Sequence, residues 1–563
     1  MAHKVVSIAA GEAHTLVLTG DGSIYSWGRG LFGRLGTGKE DDELIPAKVS
    51  FNPSSKNSAS LYPQVGGTNQ PKFVGIATGA YHSLALADDG SVWSWGYNSY
   101  GQLGYGKENS SVPCLVEQLE ELGSDSSARL PGNNTTTTPL KICSVRAGGM
   151  MSFAIDNLGS LWMWGQCPQP TDTGELCLIS TPSPLPVWDF HGRTVVKVAC
   201  GNEHVVAAVT SGESYTGSGL ICYSWGSNTH GQLGLGHKES QPRPVVIPTF
   251  NEESSWEVYE MACGAHHTAI LAQKKSYGED IQCRCWTFGL GDNGQLGNGS
   301  TISSDLPIPV IGLPGDAFLI SLDCGLFHTA VVSADGEVWC WGMEKGLGLC
   351  PDASYSGADA GDALHPLRVR SPETNGFKFL GPIQISCGAA HTVLVAGEGY
   401  RMWAWGRGRN GVLGRGVTND SYTPAVVSWP PLNEQDIKEL QGGGSSGSSL
   451  ERNEMERETE RRLSEAMERL SLMERYANML HISIFRKQLD ERKLKESFQG
   501  KAVFDIRREF ESLLGNADGD ELMRMEGFYR SMLASVKDEI LKRRVREMVN
   551  ESLASMSMGR RHG

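Results

Sequence analysis

Apolar and polar residues alternate along short runs through most of the chain, and these runs recur in a fixed order. Residues 262–271 read ACGAHHTAIL, an alternating run that contains a Gly-x-x-His step. A turn such as Asp335-Gly336 leads into a second alternating run, which ends in Trp-x-Trp-Gly at residues 339–342. A glycine-rich stretch, for example 231–236, and a run with Pro and Val complete the set. Period-two alternation with Asp-Gly turns predicts four short antiparallel strands for each set.

The set occurs seven times, and successive copies begin 53 to 69 residues apart. The copies begin at Ile8, Ile76, Val145, Val198, Met261, Leu322 and Ile385. Seven sheets of four strands would leave long open edges in a flat arrangement, whereas a radial arrangement protects them. We therefore predict a mainly β fold, a seven-bladed β-propeller over residues 1–433. We expect the last run, Pro424–Val427, to pair beside the first copy and close the ring.

The recurring phrase Gly-x-x-His-Thr, then Gly-x-Val-x-x-Trp-Gly, then Gly-x-Leu-Gly-x-Gly resembles the regulator of chromosome condensation repeat family. The resemblance covers about residues 1–430 and implies a seven-bladed propeller. It does not imply one activity, because that family includes nucleotide exchange factors, a plant ultraviolet-B sensor and many interaction domains.

Charge divides the chain into two parts. Residues 450–563 hold 23 Lys or Arg and 22 Asp or Glu, which leaves 27 basic and 42 acidic residues before them. An acidic propeller repels phosphate backbones, so direct nucleic-acid binding is not expected and a protein with a basic surface is the expected partner. No run of about 18 apolar residues and no apolar signal core occurs, which favours an intracellular protein, cytoplasmic or nuclear, without a membrane span.

The residues that recur in every copy predict structure rather than chemistry. One histidine position and one aromatic position repeat around the ring, and a catalytic group would be needed only once. We expect each imidazole to bond locally within its blade and each aromatic ring to pack between blades. Cysteines at one repeat position are expected to be small buried residues. We predict no catalytic residue, no cofactor and no metal site. The histidines are His14, His82, His204, His267, His328 and His391, with Met151 in the third copy.

The resemblance implies, for an ultraviolet-B sensor, tryptophan flanked by arginine just before the repeated histidine. The two positions there hold Glu12-Ala13, Ala80-Tyr81, Asn202-Glu203, Ala265-His266, Leu326-Phe327 and Ala389-Ala390. Neither residue type occurs among them, so ultraviolet-B sensing is the least favoured function.

Departures from the repeat are the candidate sites. The step from the histidine to the Trp-Gly aromatic is 13 or 14 residues in five copies and 21 in the fourth and fifth. These matched extensions predict a ridge on one face, where exposed Tyr and carboxylates suit a basic partner; tolerated surface insertions are the alternative. The third copy has Cys167-Pro-Gln-Pro in place of the glycine-rich stretch and is expected to be the least regular blade. The candidate partner-binding residues are Glu213, Tyr215, Tyr277, Glu279 and Asp280.

The last part of the chain has a different composition. Residues 434–449 are Gly/Ser-rich and predict a flexible linker, and residues 450–563 predict an α-helical, partly coiled-coil module. A heptad runs from Leu463 to Ile484 and could form a homodimer, bind a partner helix or fold alone. The predicted seam residues are Leu463, Leu470, Met473, Leu480 and Ile484.

The sequence therefore predicts a non-enzymatic protein-interaction scaffold, with one partner on the propeller and another, or a second copy, on the helices. A guanine-nucleotide exchange factor for a small GTPase is the alternative.

Overall fold

A computed structural model describes most of the repeat region. The described residues are 3–51, 71–119, 140–190, 193–210, 219–275, 282–315, 317–343, 361–374 and 376–430. The predicted linker, the predicted helical module and the ten candidate residues named above lie outside these ranges.

The described strands form seven four-stranded antiparallel sheets, and each sheet consists of four strands that are consecutive in the chain. Blade 1 contains β1 Val5–Ala10, β2 His14–Thr19, β3 Ile24–Gly28 and β4 Glu43–Lys48, and blade 2 contains β5 Phe73–Thr78, β6 His82–Ala87, β7 Val92–Gly96 and β8 Ser110–Leu115. Blade 3 contains β9 Ile142–Ala147, β10 Met151–Asp156, β11 Leu161–Pro170 and β12 Leu176–Pro186. Blade 4 contains β13 Val195–Cys200, β14 His204–Thr210, β15 Leu220–Gly226 and β16 Gln241–Val246. Blade 5 contains β17 Trp256–Cys263, β18 His267–Lys274, β19 Cys283–Gly289 and β20 Ser304–Pro309. Blade 6 contains β21 Leu319–Cys324, β22 His328–Ser333, β23 Val338–Gly342 and β24 Ala363–Arg368. Blade 7 contains β25 Gln384–Cys387, β26 His391–Ala396, β27 Arg401–Gly406 and β28 Ser421–Val426. Short 3-10 turns occur at Leu31–Gly33, Pro248–Phe250, Gly397–Gly399 and Arg409–Gly411.

The seven sheets close into a ring, which confirms the predicted propeller. The first strand of each blade contacts the first strands of both neighbouring blades, and β1 contacts β25. The first strands are therefore innermost and the fourth strands outermost. Within a blade, His14 pairs with Gly28, so the Gly-x-x-His loop and the loop that follows Trp-Gly leave the sheet at the same end. We call this end of the propeller the His-loop face.

Five of the six repeated histidines bond a residue of the next blade, so the prediction that each imidazole bonds within its own blade was wrong. His267 Nε2 lies 3.0 Å from Thr329 Oγ1 of the next blade. Thr329 Oγ1 donates at 3.0 Å to the Gln295 carbonyl of the glycine-rich loop, and Trp341 Nε1 donates to the same oxygen at 2.9 Å. His267 and the glycine-rich loop of blade 5 thus form hydrogen bonds with the Thr329 hydroxyl and the Trp341 indole of blade 6. The bonded pairs are His14–Ser83, His82–Ser152, His204–Thr268, His267–Thr329 and His328–Thr392.

This arrangement fixes the charge of the imidazoles. Because the hydroxyl hydrogen goes to the carbonyl, the hydroxyl oxygen accepts from Nε2, and Nε2 must carry the hydrogen. Complete burial lowers the pKa of His82, His204, His267 and His328 to about 3 and that of His391 to about 4. These histidines are therefore neutral at physiological pH.

The junction between blades 3 and 4 has no such bond. Met151 occupies the histidine position and Val205 the hydroxyl position, and both are fully buried in one apolar cluster. Both members of the polar pair are replaced together, so no buried donor or acceptor is left at these two positions.

Proline in each fourth strand protects the outer edge of its blade. Val369 N donates at 2.9 Å to Val338 O, so Val369 points its N–H toward the inner strands. Alternation then directs Pro366, three residues earlier, outward, where it has no N–H to offer. In every blade a proline lies three residues before the last residue of this edge that donates its N–H inward. This constant spacing explains the repeated Pro-Val run. These prolines are Pro46, Pro113, Pro184, Pro244, Pro307, Pro366 and Pro424.

The glycine-rich loops pack against this edge in the next blade. Gly231 has φ of +84°, and a Cβ there would lie 2.6 Å from the Cα of Asp305 in β20, so a larger residue does not fit. Gly236 N then donates to Asp305 O at 2.8 Å. The described loops therefore connect neighbouring blades.

The ring closes through side chains and loops, so the prediction that Pro424–Val427 pairs with the first copy was wrong. β28 pairs with β27 as the fourth strand of blade 7, and the first copy already contains four strands. Gln384 of blade 7 instead bonds both Ile8 N and Ile8 O at 3.0 Å, and Trp27 Nε1 donates to Val412 O at 2.9 Å.

Blade 3 is extended rather than irregular. Gly165 pairs with Met151, at the level where the other third strands end, but β11 continues to Pro170 and pairs with β12 as far as Leu176. At about 3.4 Å per residue the extra pairing reaches about 17 Å beyond that level. We call the hairpin of residues 166–180 the blade-3 arm; it rises on the His-loop face.

Candidate protein-docking face

Seven equivalent backbone hydrogen bonds organise the centre of the His-loop face. In each blade the residue after Trp-Gly, or Phe-Gly in blade 5, donates its N–H to the carbonyl of the residue before the histidine position, at 2.8 to 2.9 Å. The bond repeats although the side chains differ, so each blade places two adjacent variable residues at this face. Ser227, Leu290 and Ala390 are buried, and the other eleven are at least partly exposed. The pairs are Ala13/Arg29, Tyr81/Tyr97, Met150/Gln166, Glu203/Ser227, His266/Leu290, Phe327/Met343 and Ala390/Arg407.

Aromatic residues gather on the blade 1 and blade 2 sector of this face. The ring of Phe32 lies 4.7 Å from that of Tyr97 and 6.0 Å from that of Tyr81, and Tyr97 lies 6.4 Å from Tyr100. All four are only partly covered or exposed. Tyrosine and phenylalanine presented in this way are typical of the energetic centre of protein interfaces. We call Phe32, Tyr81, Tyr97 and Tyr100 the aromatic sector.

The backbone at Phe32 is held in an unfavourable conformation. Its φ is +66°, in the left-handed region that bulky residues rarely adopt. The equivalent residue in blade 7 is Asn410, with φ of +59°, and asparagine tolerates this region better. Contacts with Tyr97 and Tyr81 therefore hold Phe32 at a cost, which is a common mark of functional loops.

A buried arginine supports the aromatic sector from below. Arg34 is fully buried, and its guanidinium carbon lies 4.5 Å from the centre of the Tyr81 ring. Its Nε donates to Leu31 O at 2.9 Å and Nη1 to Ala80 O at 3.2 Å. Burial lowers the pKa of Arg34 to about 10, so it remains charged at neutral pH. The cation thus fixes the Tyr81 ring through a cation–π contact.

The blade 7 and blade 1 sector carries positive charge. Arg29 and Arg407 occupy the same repeat position in neighbouring blades, and Arg409 follows on the blade 7 loop, exposed to solvent. None of the ion pairs between described residues includes these three. Acidic residues lie on the same face both near its centre, at Glu12, which hydrogen-bonds Tyr81, and at Glu203, and further along its loops, as at Glu40 and Asp41. The face is therefore mixed in charge although the repeat region is acidic.

Chemistry-bearing groups elsewhere in the described residues were compared with the needs of a metal site and of a reactive thiol. Within the described ranges no group of three His, Cys, Asp or Glu side chains could hold a metal ion. Burial raises the pKa of the thiols at the repeated cysteine position, which disfavours the reactive thiolate. In the part of the chain that the structure describes, no helix is long and apolar enough to cross a bilayer. The repeated cysteines are Cys200, Cys263, Cys324 and Cys387; the last two are buried and the first two partly exposed.

Sequence reasoning located the pre-histidine positions but did not identify them as a surface. The sequence singles out Tyr81 only because it is not tryptophan, and it does not single out the partner Tyr97. Comparing the seven copies at the position after Trp-Gly would have found the second half of each pair. The predicted ridge of Glu213, Tyr215, Tyr277, Glu279 and Asp280 stays a prediction.

Comparisons with known proteins agree with this fold. Residues 1–270 match the model of the RCC1-like domain, and residues 284–332, 335–395 and 401–446 match that of the regulator of chromosome condensation (RCC1) repeat. The ultraviolet-B receptor UVR8 of Arabidopsis thaliana is 27% identical over 457 residues, which cover 80% of this chain and 85% of the receptor. The ubiquitin ligase HERC2 of Homo sapiens is 27% identical over 415 residues, but the match spans only 7% of that protein.

Solved structures show the same propeller. Prp20p of Saccharomyces cerevisiae superposes with a TM-score of 0.54 at 22% identity, over 73% of this chain and 87% of Prp20p. Human WBSCR16 gives a TM-score of 0.53 at 20% identity, over 72% of this chain and 94% of that protein. At these identities the likeness supports the fold alone. The repeated phrase, the seven closed blades and the two matched models together show that the chain belongs to the regulator of chromosome condensation repeat family.

Proposed function

We propose that this protein is a non-enzymatic interaction scaffold whose protein partner docks on the His-loop face. The observation that carries the proposal is the ring of seven side-chain pairs held by one repeated backbone bond. Such a ring keeps a rigid frame while its side chains vary, which is what a specific docking surface requires. We place this activity inside the cell, in the cytoplasm or the nucleus.

The face supports a division of roles between its sectors. Tyr97 and Tyr81 would supply buried contact area at the centre, while Arg29 and Arg407 would select partners by charge. The acidic loops and the acidic ridge predicted from sequence favour a partner that is basic where it meets the rim. Arg29 and Arg407, in the blade 7 and blade 1 sector, favour a carboxylate of that partner near the centre of the face.

Nucleotide exchange on a small GTPase is the second candidate. Prp20p, which has the same fold, has binding properties to Gsp1p and to histones. An exchange factor needs no catalytic residue, because it acts by stabilising the nucleotide-free partner. Sensing of ultraviolet-B, as in the relative UVR8, is disfavoured because the pre-histidine positions hold no tryptophan.

Affinity capture from a nucleotide-depleted lysate tests both candidates. The full chain serves as bait, beside the variants Tyr97→Ala and Arg407→Glu, and bound proteins are identified by mass spectrometry. Tyr400→Ala is the matched control, because Tyr400 is exposed in the turn between β26 and β27, at the end of the blade opposite the His-loop face. We expect both face variants to lose a partner, at least tenfold in recovered amount, that the control retains.

Nucleotide separates the two candidates in the same experiment. A captured small GTPase that is released by added GTP would establish exchange as the function. A partner that is retained with GTP and lost with Tyr97→Ala would support the scaffold. Equal recovery by the wild type and both face variants would show that the His-loop face is not the docking surface.

A further inference from the structure

The blade-3 arm has an open strand edge, and its hydrogen-bonding pattern can be derived from two prolines. In the arm Pro168 pairs with Leu178 and Pro170 with Leu176. Proline has no N–H, so these cannot be hydrogen-bonded pairs of an antiparallel ladder. Thr171 N donates to Glu175 O at 2.8 Å, which fits the same alternation. Leu176 and Leu178 therefore point N–H and C=O away from β11, and Ser180 does so by the same alternation.

This edge lacks the protection of the other fourth strands. Elsewhere a proline occupies the central outward position, and in β12 itself Pro184 and Pro186 do so beside the blade. Leu176, Leu178 and Ser180 are thus three successive outward positions that keep their N–H groups. Within the described residues no hydrogen bond takes up the N–H of any of the three.

The strand at this edge is also uncharged and partly apolar. Residues 176–180 read LCLIS; Cys177 is exposed and Ile179 is 44% exposed. Proteins usually place Lys, Pro or a bulge on an edge that must not pair, and none occurs here. Ser180 Oγ donates to Tyr100 O at 2.9 Å, which anchors the base of the strand to the loop of blade 2.

We propose that the blade-3 arm pairs with the same arm of a second copy of this chain, antiparallel about a two-fold axis through Leu178. The strand fits itself: Leu178 meets its own equivalent, and Leu176 meets Ser180 of the other copy. The three outward residues of each copy then exchange six N–H···O bonds. Cys177 lies opposite Ile179 of the other copy, so the exposed apolar side chains of both strands cover one another.

The interface is small, so the association is weak on its own. A strand pair of five residues buries much less than the roughly 1,200 Å² of stable complexes. We expect dimers at tens to hundreds of micromolar protein, and at lower concentration if the helical module predicted for residues 450–563 also holds two copies together.

A register-specific disulfide tests the pairing in the full chain. In a non-hydrogen-bonded antiparallel pair the Cα atoms are about 4.5 Å apart, close enough for a disulfide. Cys167 pairs with Ile179 inside the arm, so every protein of this cross-linking test carries Cys167→Ala. In that background the thiol introduced by Ile179→Cys would face Cys177 of the second copy, and diamide would remove the two thiol hydrogens. We expect a covalent dimer on non-reducing gels, with the cross-link mapped to positions 177 and 179, at least tenfold above Cys167→Ala alone.

Two controls separate the arm from other contacts. Ile179→Cys with Cys177→Ser keeps every other cysteine of this background, and Ile179→Cys with Leu178→Pro removes the outward N–H in the way the neighbouring prolines do. Both should lose the cross-link, with urea midpoints matching that of Ile179→Cys to show that the blade is intact. Sedimentation of the wild type and of Leu178→Pro then reports whether other parts of the chain dimerise.

Equal cross-linking in all of these proteins, or none in Ile179→Cys at any concentration, would overturn the proposal. If Ile179→Cys forms no cross-link, the open edge of the arm would instead be expected to pair with an extended segment of a different protein.

Discussion

Blade 3 and the other blades solve the same packing problem in different ways. At five junctions a neutral histidine bonds a hydroxyl of the next blade, and at four of these the hydroxyl donates its hydrogen to a carbonyl of a described loop. At the junction of blades 3 and 4, Met151 and Val205 fill the same two positions. Blade 3 also replaces its glycine-rich loop by the arm, so it lacks the carbonyl that the hydroxyl would need.

The difference shows that the polar junction is one unit. A buried hydroxyl without its histidine, or a histidine without its hydroxyl, would leave a donor or acceptor unpaired at a cost of about 1–3 kcal/mol. Replacing both with apolar groups of similar shape avoids that cost. At the junction of blades 7 and 1 both residues are present, but His391 Nε2 and Thr15 Oγ1 have no hydrogen-bond partner among the described residues, so the bonded pair occurs at five of the seven junctions.

The largest expected difference between the histidine junctions and the junction of blades 3 and 4 is the loss of stability at low pH. A histidine whose pKa falls from 6.5 to about 3 on folding takes up protons only in the unfolded chain, so stability is lost as pH falls below 6.5. Each such histidine lowers the free energy of unfolding by about 2 kcal/mol between pH 7 and pH 5. The pKa of Asp323 is raised to about 6, which has the opposite sign but offsets only about 1 kcal/mol.

Urea midpoints followed by tryptophan fluorescence at pH 7, 6 and 5 would measure this loss. The double variant His267→Met, Thr329→Val converts one junction to the blade 3 type and should lose about 2 kcal/mol less over the same range. Identical pH dependence of the variant and the wild type would show that the junction histidines do not titrate as proposed.

A double-mutant cycle at pH 7.5 gives the next largest effect. Thr329→Val alone leaves the N–H of His267 without an acceptor and should cost about 1–3 kcal/mol. Adding His267→Met should recover most of that loss, because the pair then matches Met151 and Val205. The coupling free energy from urea unfolding checks the prediction, and simple additivity of the two substitutions would contradict it.

The smallest effect on stability concerns the outer edge. Pro366→Ala restores an outward N–H in β24, and we expect the free energy of unfolding to change by less than about 1 kcal/mol. The change should appear instead as faster aggregation on mild heating, followed by light scattering, because the edge can then pair between molecules. Leu178→Pro in the blade-3 arm is the reverse substitution and should not increase aggregation.

Most of the fold could be predicted from the sequence, because each blade consists of consecutive strands and its alternation is local. The partner of each histidine could not, since the hydroxyl belongs to the next copy and its position depends on how the blades pack. The role of Pro366 and its equivalents was within reach, because period two and the missing N–H already fix the outward direction. The pairing of Tyr81 with Tyr97 needed the structure, because it joins two loops that are separated by two strands.

The absence of strand exchange between the first and last blades bears on how the ring is made. Each blade is complete once its own four strands have left the ribosome, and none must wait for the end of the chain to receive its outer strand. Assembly can therefore proceed blade by blade from the N-terminus. The hydroxyl and the indole of each new blade would then form hydrogen bonds with the glycine-rich loop of the preceding blade. The last event is the docking of two finished blades, when the Trp27 indole meets the Val412 carbonyl. A chain arranged in this way could be cut between any two blades and rejoined at its ends with the same ring as the result.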